Sequence, residues 1–115
     1  MYRIYIGYFT ETDENKLHAA FDIYGEFMKV LAKGYLEDGC FEMYTKKDSS
    51  WYFDSYVALQ KHLPFHVDIE RLEKLDIDNV FGVFWVNYEE DLVCKKGKIL
   101  TIVDDFYIDK FLWED

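Results

Sequence analysis

The run VFGVFWVNY over residues 80–88 constrains the fold more than any other stretch of this sequence. It is dominated by β-branched and aromatic residues and is apolar on both faces, as expected of a central strand. Residues 2–9 alternate aromatic and β-branched side chains and predict another interior strand. The centre of the fold is therefore predicted to be a β-sheet.

An amphipathic helix is the clearest periodic signal in the chain. Thr12 or Asp13 is a suitable N-cap for it, and Gly34 or Gly39 can end it in the left-handed conformation. This helix is expected to cover one face of the sheet. Its apolar face consists of Leu17, Ala20, Phe21, Tyr24, Phe27, Met28 and Leu31.

The remaining elements are shorter. Residues 40–45 predict a strand, residues 51–63 a helix capped by Ser49 or Ser50, and Asp68 caps a further short helix. Residues 92–95 and 98–103 predict a hairpin, and the apolar tail over residues 104–115 is expected to dock as a short helix or strand.

The order of these elements predicts an α+β fold in one domain, residues 1–115. We expect a largely antiparallel sheet of about five strands. One long helix and one or two short helices should pack mainly on one face of it.

The charge of the chain restricts its partners. The sequence has 23 acidic and 13 basic residues and a net charge of -10. Nucleic acid is a poor direct partner, because binding to it depends on lysine and arginine displacing counterions from phosphates. Residues 68–115 hold 13 acids and 6 bases, whereas residues 1–67 hold 10 acids and 7 bases. The acidic C-terminal part would instead attract a basic protein surface.

Cysteine content and hydropathy indicate the compartment. Cys40 and Cys94 are too few for a disulfide scaffold and too far apart for a CxxC motif, so both are expected to be free thiols. The sequence has neither a signal-peptide pattern nor an apolar run long enough to span a membrane. A cytoplasmic protein without membrane contact is expected.

No motif in the sequence predicts catalysis, a metal or a cofactor. His62, His66 and Glu70 are spaced by four residues, but Pro64 interrupts the helical face that a zinc site would need. The run from Asp76 to Gly82 lacks the glutamate that closes a calcium loop. We predict no catalytic residue, no metal ligand and no cofactor.

The combination of acidity and aromatic residues favours a protein-binding function. The hypothesis is an acidic inhibitory domain that blocks a basic partner, as immunity proteins and nucleic-acid mimics block nucleases or other nucleic-acid-handling enzymes. Tyrosine and tryptophan anchor many protein interfaces and would supply affinity. The predicted partner-binding residues are Glu89, Glu90, Asp91, Asp104, Asp105, Asp109, Trp51, Tyr52 and Tyr56.

Two alternatives stay open at the level of sequence. One is a small enzyme or ligand-binding domain with a pocket between the long helix and the sheet, lined by Tyr5, Tyr24 and Trp85. The other is a homodimer, or a homo-oligomeric subunit of a larger complex, formed through an exposed sheet edge.

Overall fold

A computed structural model describes residues 1–33, 41–47 and 54–114. Within them lie four strands: β1 (Tyr2–Phe9), β2 (Phe41–Thr45), β3 (Gly82–Asn87) and β4 (Thr101–Ile108). The helical elements are α1 (Glu14–Ala20), a π-helical segment (Phe27–Ala32), α2 (Tyr56–His62), α3 (Ile69–Leu72) and a 3-10 turn (Glu73–Leu75).

The strands form one antiparallel sheet in the order β2-β3-β1-β4. The predicted α+β class with an antiparallel sheet is confirmed, and so is the interior position of β1 and β3. The prediction of about five strands is wrong for the described part of the chain, which has four. The pairing of β1 with β4 contains a bulge between Ile6 and Gly7.

Helices cover both faces of the sheet, which corrects the prediction of helices mainly on one face. Side chains alternate across a strand, so Ile4 and Ile6 of β1 lie on one face and Tyr5 on the other. The first face packs against α2, α3 and the 3-10 turn, and the second packs against α1 and the π-helical segment. Because β1 and β3 are apolar on both faces, each face needs its own cover.

The predicted long helix is wrong, because the chain breaks between α1 and the π-helical segment. A Cβ atom on Gly25 would collide with the carbonyl oxygen of Ala19, so only glycine allows the close turn found there. Tyr24 in this turn is 77% exposed instead of facing the core. The apolar spacing continues through the break because both pieces bury side chains against the same face.

The predicted hairpin over residues 92–103 is formed only in its innermost part. The Glu26 carboxylate accepts hydrogen bonds from the backbone amides of Lys98, Ile99 and Leu100, at 2.6–3.1 Å. The amides of Val93 and Cys94 donate to the carbonyl of Leu31, at 2.8 and 3.3 Å.

These donors are therefore used by the helical side of the molecule instead of by a partner strand. The two runs pair through one isolated bridge, between Lys96 and Thr101. Beside it, the amide of Gly97 donates to the carbonyl of Leu100 at 2.8 Å, and the amide of Ile102 donates to the carbonyl of Lys95 at 2.7 Å. The tail contributes the second half of β4, and Phe111 then turns back into the core.

The short helices on the first face largely follow the predictions. The N-cap of α2 is Ser55, whose hydroxyl accepts from the amide of Ala58 at 3.2 Å, and the expected caps Ser49 and Ser50 lie outside the described residues. Asp68 stands at the predicted N-cap position of α3, but its side chain accepts no capping hydrogen bond from this helix. Beneath these helices the buried indole of Trp85 donates to the hydroxyl of Tyr44, at 3.2 Å.

Candidate functional site

Acidic side chains gather at the end of the sheet where β1 begins and β3 and β4 finish. Tyr2 pairs with Ile108 and Ile4 with Asn87, so the segments that follow Asn87 and Ile108 meet at this edge. We call this region the acidic end, and its basic residues are Arg3 and Lys110. Its carboxylates are those of Glu89, Glu90, Asp91, Asp105, Asp109 and Glu114.

Arg3 is the centre of the acidic end. Its guanidinium contacts the Asp91 carboxylate at 2.6 Å and the Asp105 carboxylate at 3.1 Å. The guanidinium carbon also lies 4.9 Å from the ring centre of Tyr5 and 5.9 Å from that of Tyr107. The hydrogen bond to Asp91 raises the pKa of Arg3 against the opposing effect of burial, and Asp105 raises it further. One guanidinium is therefore shared by two carboxylates.

The turn after β3 places the carboxylates of Glu89 and Asp91 beside Arg3. The backbone amide of Arg3 donates to both carboxylate oxygens of Glu89, at 3.3 Å. The carbonyl of Glu90 accepts from the hydroxyl of Tyr5 at 2.7 Å, which fixes the turn against the sheet. The Asp91 side chain is 90% exposed despite its contact with Arg3, so its negative charge is available to a partner.

The C-terminal segment adds Glu114. Its carboxylate accepts hydrogen bonds from the hydroxyl of Tyr2 and, at 2.9 Å, from the amide of Phe111. The hydrogen bond from Tyr2 is the main reason why the pKa of Glu114 lies below its ordinary value. Trp113 stacks on Phe111 with ring centres 4.5 Å apart and remains 59% exposed. An exposed indole therefore lies beside the acidic end.

Asp104 does not belong to the acidic end. It projects from the opposite face of β4 and contacts Arg71 at 3.0 Å and Lys74 at 3.2 Å. Burial raises the pKa of Asp104, but the hydrogen bonds from Lys74 and from the amide of Asp105, with the charge of Arg71, together hold it below its ordinary value. This carboxylate is 15% exposed and already neutralised, so it offers little charge to a partner.

The remaining predicted positions are of two kinds. Asp109 is exposed directly after the end of β4. Tyr56 donates to the carbonyl of Glu73 at 3.2 Å and accepts from the amide of Ile77 at 3.3 Å, and both bonds tie it to the helical layer. Trp51 and Tyr52 lie outside the described residues.

The aromatic pocket of the alternative interpretation is not formed by the three residues expected to line it. Tyr5 and Trp85 are buried in the cores on opposite faces of the sheet, and Tyr24 is exposed. A cleft of about 450 Å³ does exist, but it lies between α3 and the outer edge of β4. Burial raises the pKa of Tyr5 to about 12, as expected of a phenol in a core and not in an open pocket.

We next consider metal-ligating side chains and free thiols in the described part of the chain. Its Cys, His, Asp and Glu side chains form no group of three that could hold a metal ion. The Cys94 thiol, which is free, donates to the carbonyl of Lys96 at 3.1 Å. Cys40 lies outside the described residues.

Sequence reasoning missed three parts of the site: Arg3, Tyr107 and Glu114. Arg3 stands in a strand of otherwise mostly aromatic and β-branched residues. Tyr107 and Glu114 were included in an undivided apolar tail. The alternation of β4, had it been extended to Ile108, would have placed Tyr107 and Asp105 on the face of Arg3.

No helix in residues 1–33, 41–47 and 54–114 combines the length and the apolar character needed to cross a bilayer. Comparison of the chain with protein-family models, with curated proteins and with solved structures finds no match.

Proposed function

We propose that this chain is an acidic protein-binding domain that inhibits a basic partner by covering its cationic surface. The proposal includes the immunity-protein and nucleic-acid-mimic types of inhibitor, directed at a nuclease or another nucleic-acid-handling enzyme. The observation that carries it is the convergence around Arg3 of carboxylates from two separate segments, the turn after β3 and strand β4. The Tyr2 hydroxyl brings a third acidic segment, the C-terminal one, to the same place through Glu114.

The excess of negative charge at the acidic end supports a cationic partner. Six side-chain carboxylates lie at this end, against the side-chain cations of Arg3 and Lys110 and the N-terminal ammonium near Glu114. Such a field accelerates encounter with a basic surface by roughly 10 to 10³-fold and repels nucleic acid. A partner that uses lysine and arginine to bind phosphates presents the complementary charge.

Exposed aromatic side chains beside the acidic end support a protein partner more than a simple polycation. Tyr107 is 57% exposed next to Arg3, and Trp113 is exposed next to Glu114. Exposed charge pairs contribute only about 0–1 kcal/mol each, whereas buried aromatic anchors can contribute about 2 kcal/mol or more. The charges would give speed and selectivity, and the aromatic rings most of the affinity.

The test compares three baits in an affinity pull-down from lysate of the source cells, at low and at high salt. The first bait is the wild-type chain. The second carries Glu90→Lys, Asp91→Lys and Asp109→Lys at the acidic end. The third is a control with the same change of net charge, made at exposed acids elsewhere, namely Asp22→Lys, Asp54→Lys and Asp78→Lys.

A basic protein retained by the wild type and the control, but lost from the acidic-end variant and at high salt, would support the proposal. The captured protein is then purified, and its enzymatic activity should fall in proportion to the wild-type chain added. Equal retention by the second and third baits would show that only overall charge matters and would contradict the assignment of the acidic end. No basic protein on any bait would contradict the function itself.

A further inference from the structure

The cleft beside β4 contains a backbone edge that the described chain leaves open. It lies between α3 and β4, and its base is formed by the buried side chains of Val67 and Phe106. Asp68 and Arg71 line one side, and Asp105 and Tyr107 the other. Its volume of about 450 Å³ falls within the range of about 300–1,000 Å³ typical of binding pockets.

The hydrogen bonds of β1 show in which direction the backbone of Tyr107 points. Arg3 is paired with Tyr107, but its amide donates to Glu89 and its carbonyl accepts from the amide of Tyr88, both on the β3 side. In an antiparallel ladder such a pair exchanges no hydrogen bonds, and the opposite residue also points its amide and carbonyl away. The amide and carbonyl of Tyr107 are therefore directed to the outer edge of the sheet.

Asp105, two residues earlier, has the same orientation but is already satisfied. Its amide donates to the Asp104 carboxylate at 2.9 Å, and its carbonyl accepts from Arg71 at 3.3 Å. No hydrogen bond from a described residue outside the sheet reaches the amide or the carbonyl of Tyr107. Arg71 thus closes one part of the edge, and Tyr107 is left as the point where another strand can add.

The charges around Tyr107 select between a second copy and a basic segment. Antiparallel pairing of two copies centred on Tyr107 would place Asp105 of one copy opposite Asp109 of the other. Like charges opposite each other destabilise strand pairing. A segment with lysine or arginine at those positions would instead meet the exposed Asp109 and the Asp105 carboxylate, which is 32% exposed and shared with Arg3, with Asp68 on the far side of the cleft.

We infer that the cleft binds an extended, basic segment of the partner protein, which adds to the edge of β4 through the backbone of Tyr107. This inference rests on the proposed function and specifies how the partner is held. Backbone hydrogen bonds to Tyr107 fix the register, and alternate basic side chains of the segment meet the carboxylates. Arg71 prevents pairing beyond Asp105, so the added strand is short.

The experiment uses a synthetic probe and the full chain. The probe is a capped seven-residue peptide of alternating lysine and threonine, and the control peptide has glutamate in place of lysine. Hydrogen exchange of the Tyr107 amide is followed by NMR with and without peptide. Affinities are measured for the wild type, Tyr107→Pro and Tyr107→Ala.

Proline at residue 107 removes the outward amide but breaks no hydrogen bond to β1. Edge strands accept proline where the amide points away from the sheet. Alanine removes the ring and keeps the amide. We expect the lysine peptide to slow hydrogen exchange of the Tyr107 amide. We also expect Tyr107→Pro to bind this peptide about fivefold to tenfold more weakly than Tyr107→Ala, because it lacks one backbone hydrogen bond. If the proline variant does not fold, the exchange measurement on the wild type decides alone.

Binding of the lysine peptide without slower exchange at Tyr107, or equal effects of the glutamate peptide, would overturn the edge-strand inference. Absence of binding by the lysine peptide would overturn it as well. None of these results affects the three-bait pull-down, which tests the proposed function separately. Failure of the cleft and failure of the acidic end can thus be distinguished.

Discussion

Glu26 joins the π-helical segment to the loop that precedes β4, and its removal tests how that loop is held. Three consecutive backbone amides donate to this one carboxylate. Hydrogen bonds to a charged group are worth about 1.5–3 kcal/mol each, but they are not additive here, because the donors share one acceptor and Lys98 is open to water. We expect Glu26→Ala to lower the free energy of unfolding by about 2–4 kcal/mol.

Gly97 supplies an independent check on the same geometry. A Cβ atom built on Gly97 would lie 2.8 Å from Cγ of Glu26 and closer still to its carboxyl carbon. Glu26 cannot move aside without losing its hydrogen bonds, so Gly97→Ala alone should cost about 1–3 kcal/mol. With alanine at position 26 the collision disappears. Gly97 has no positive φ, so Gly97→Ala should then be neutral or stabilising by about 0.4–1 kcal/mol.

The assay is urea denaturation of the wild type, both single variants and the double variant, followed by circular dichroism. We expect a coupling energy of at least about 1.5 kcal/mol between the two positions. Glu14→Ala, at an exposed position, is the control and should change stability by no more than about 0.5 kcal/mol. An equal cost of Gly97→Ala in both backgrounds would refute the reasoning.

Three further predictions concern titration and the C-terminal segment. The pKa of Asp104 is lower in the folded chain than in the unfolded chain, where it is about 3.9. Its contribution to stability is therefore complete above about pH 3.9 and is lost as pH falls through the folded pKa. In acid denaturation below about pH 5, the free energy of unfolding should fall less steeply with pH for Asp104→Asn than for the wild type. Folding raises the pKa of Tyr5 from about 10 to about 12. Its contribution to the free energy of unfolding is therefore complete below about pH 10 and is lost as pH rises from there towards 12. In alkaline denaturation, Tyr5→Phe should lose less stability than the wild type over that interval. Tyr2→Phe removes the hydroxyl that holds Glu114, so the Phe111 amide should exchange faster in NMR while the rest of the core stays unchanged; an unchanged Phe111 amide would show that Tyr2 does not hold the segment.

The strands that were predicted correctly are those whose own amino-acid composition indicates that they are buried. β1 and β3 are apolar on both faces because each is covered on both faces, and this information is local. The break before the π-helical segment was not predictable in this way. Both helical pieces bury side chains in the same core, so the apolar spacing from Leu17 to Leu31 does not change at Gly25. The turn after the helix brings Gly25 against the carbonyl oxygen of Ala19, and hydrophobic spacing carries no information about such a backbone contact.

The candidate site was predictable as a composition but not as an arrangement. Asp104 and Asp105 are adjacent in sequence, yet β4 directs one towards Arg71 and the other towards Arg3. A strand of period two separates neighbours onto opposite faces, so a pair that looked like one cluster is divided into two ion-pair sites. The predicted strand over residues 98–103 and the tail over residues 104–115 were separate elements, whereas β4 runs without a break from Thr101 to Ile108 and its period of two continues through Asp104 and Asp105.

The acidic end also links the stability of the chain to its proposed binding. Carboxylates around a single guanidinium repel one another, and the exposure of Asp91 keeps this repulsion small through screening by water and salt. Because the chain as a whole carries a net charge of -10, added salt should stabilise it when it is free. A basic partner would relieve the same repulsion by supplying cations, and binding would stabilise the fold by mass action. Salt weakens that binding because it screens the attraction between the two proteins. Screening of the negative charge would therefore both stabilise the free chain and release the partner.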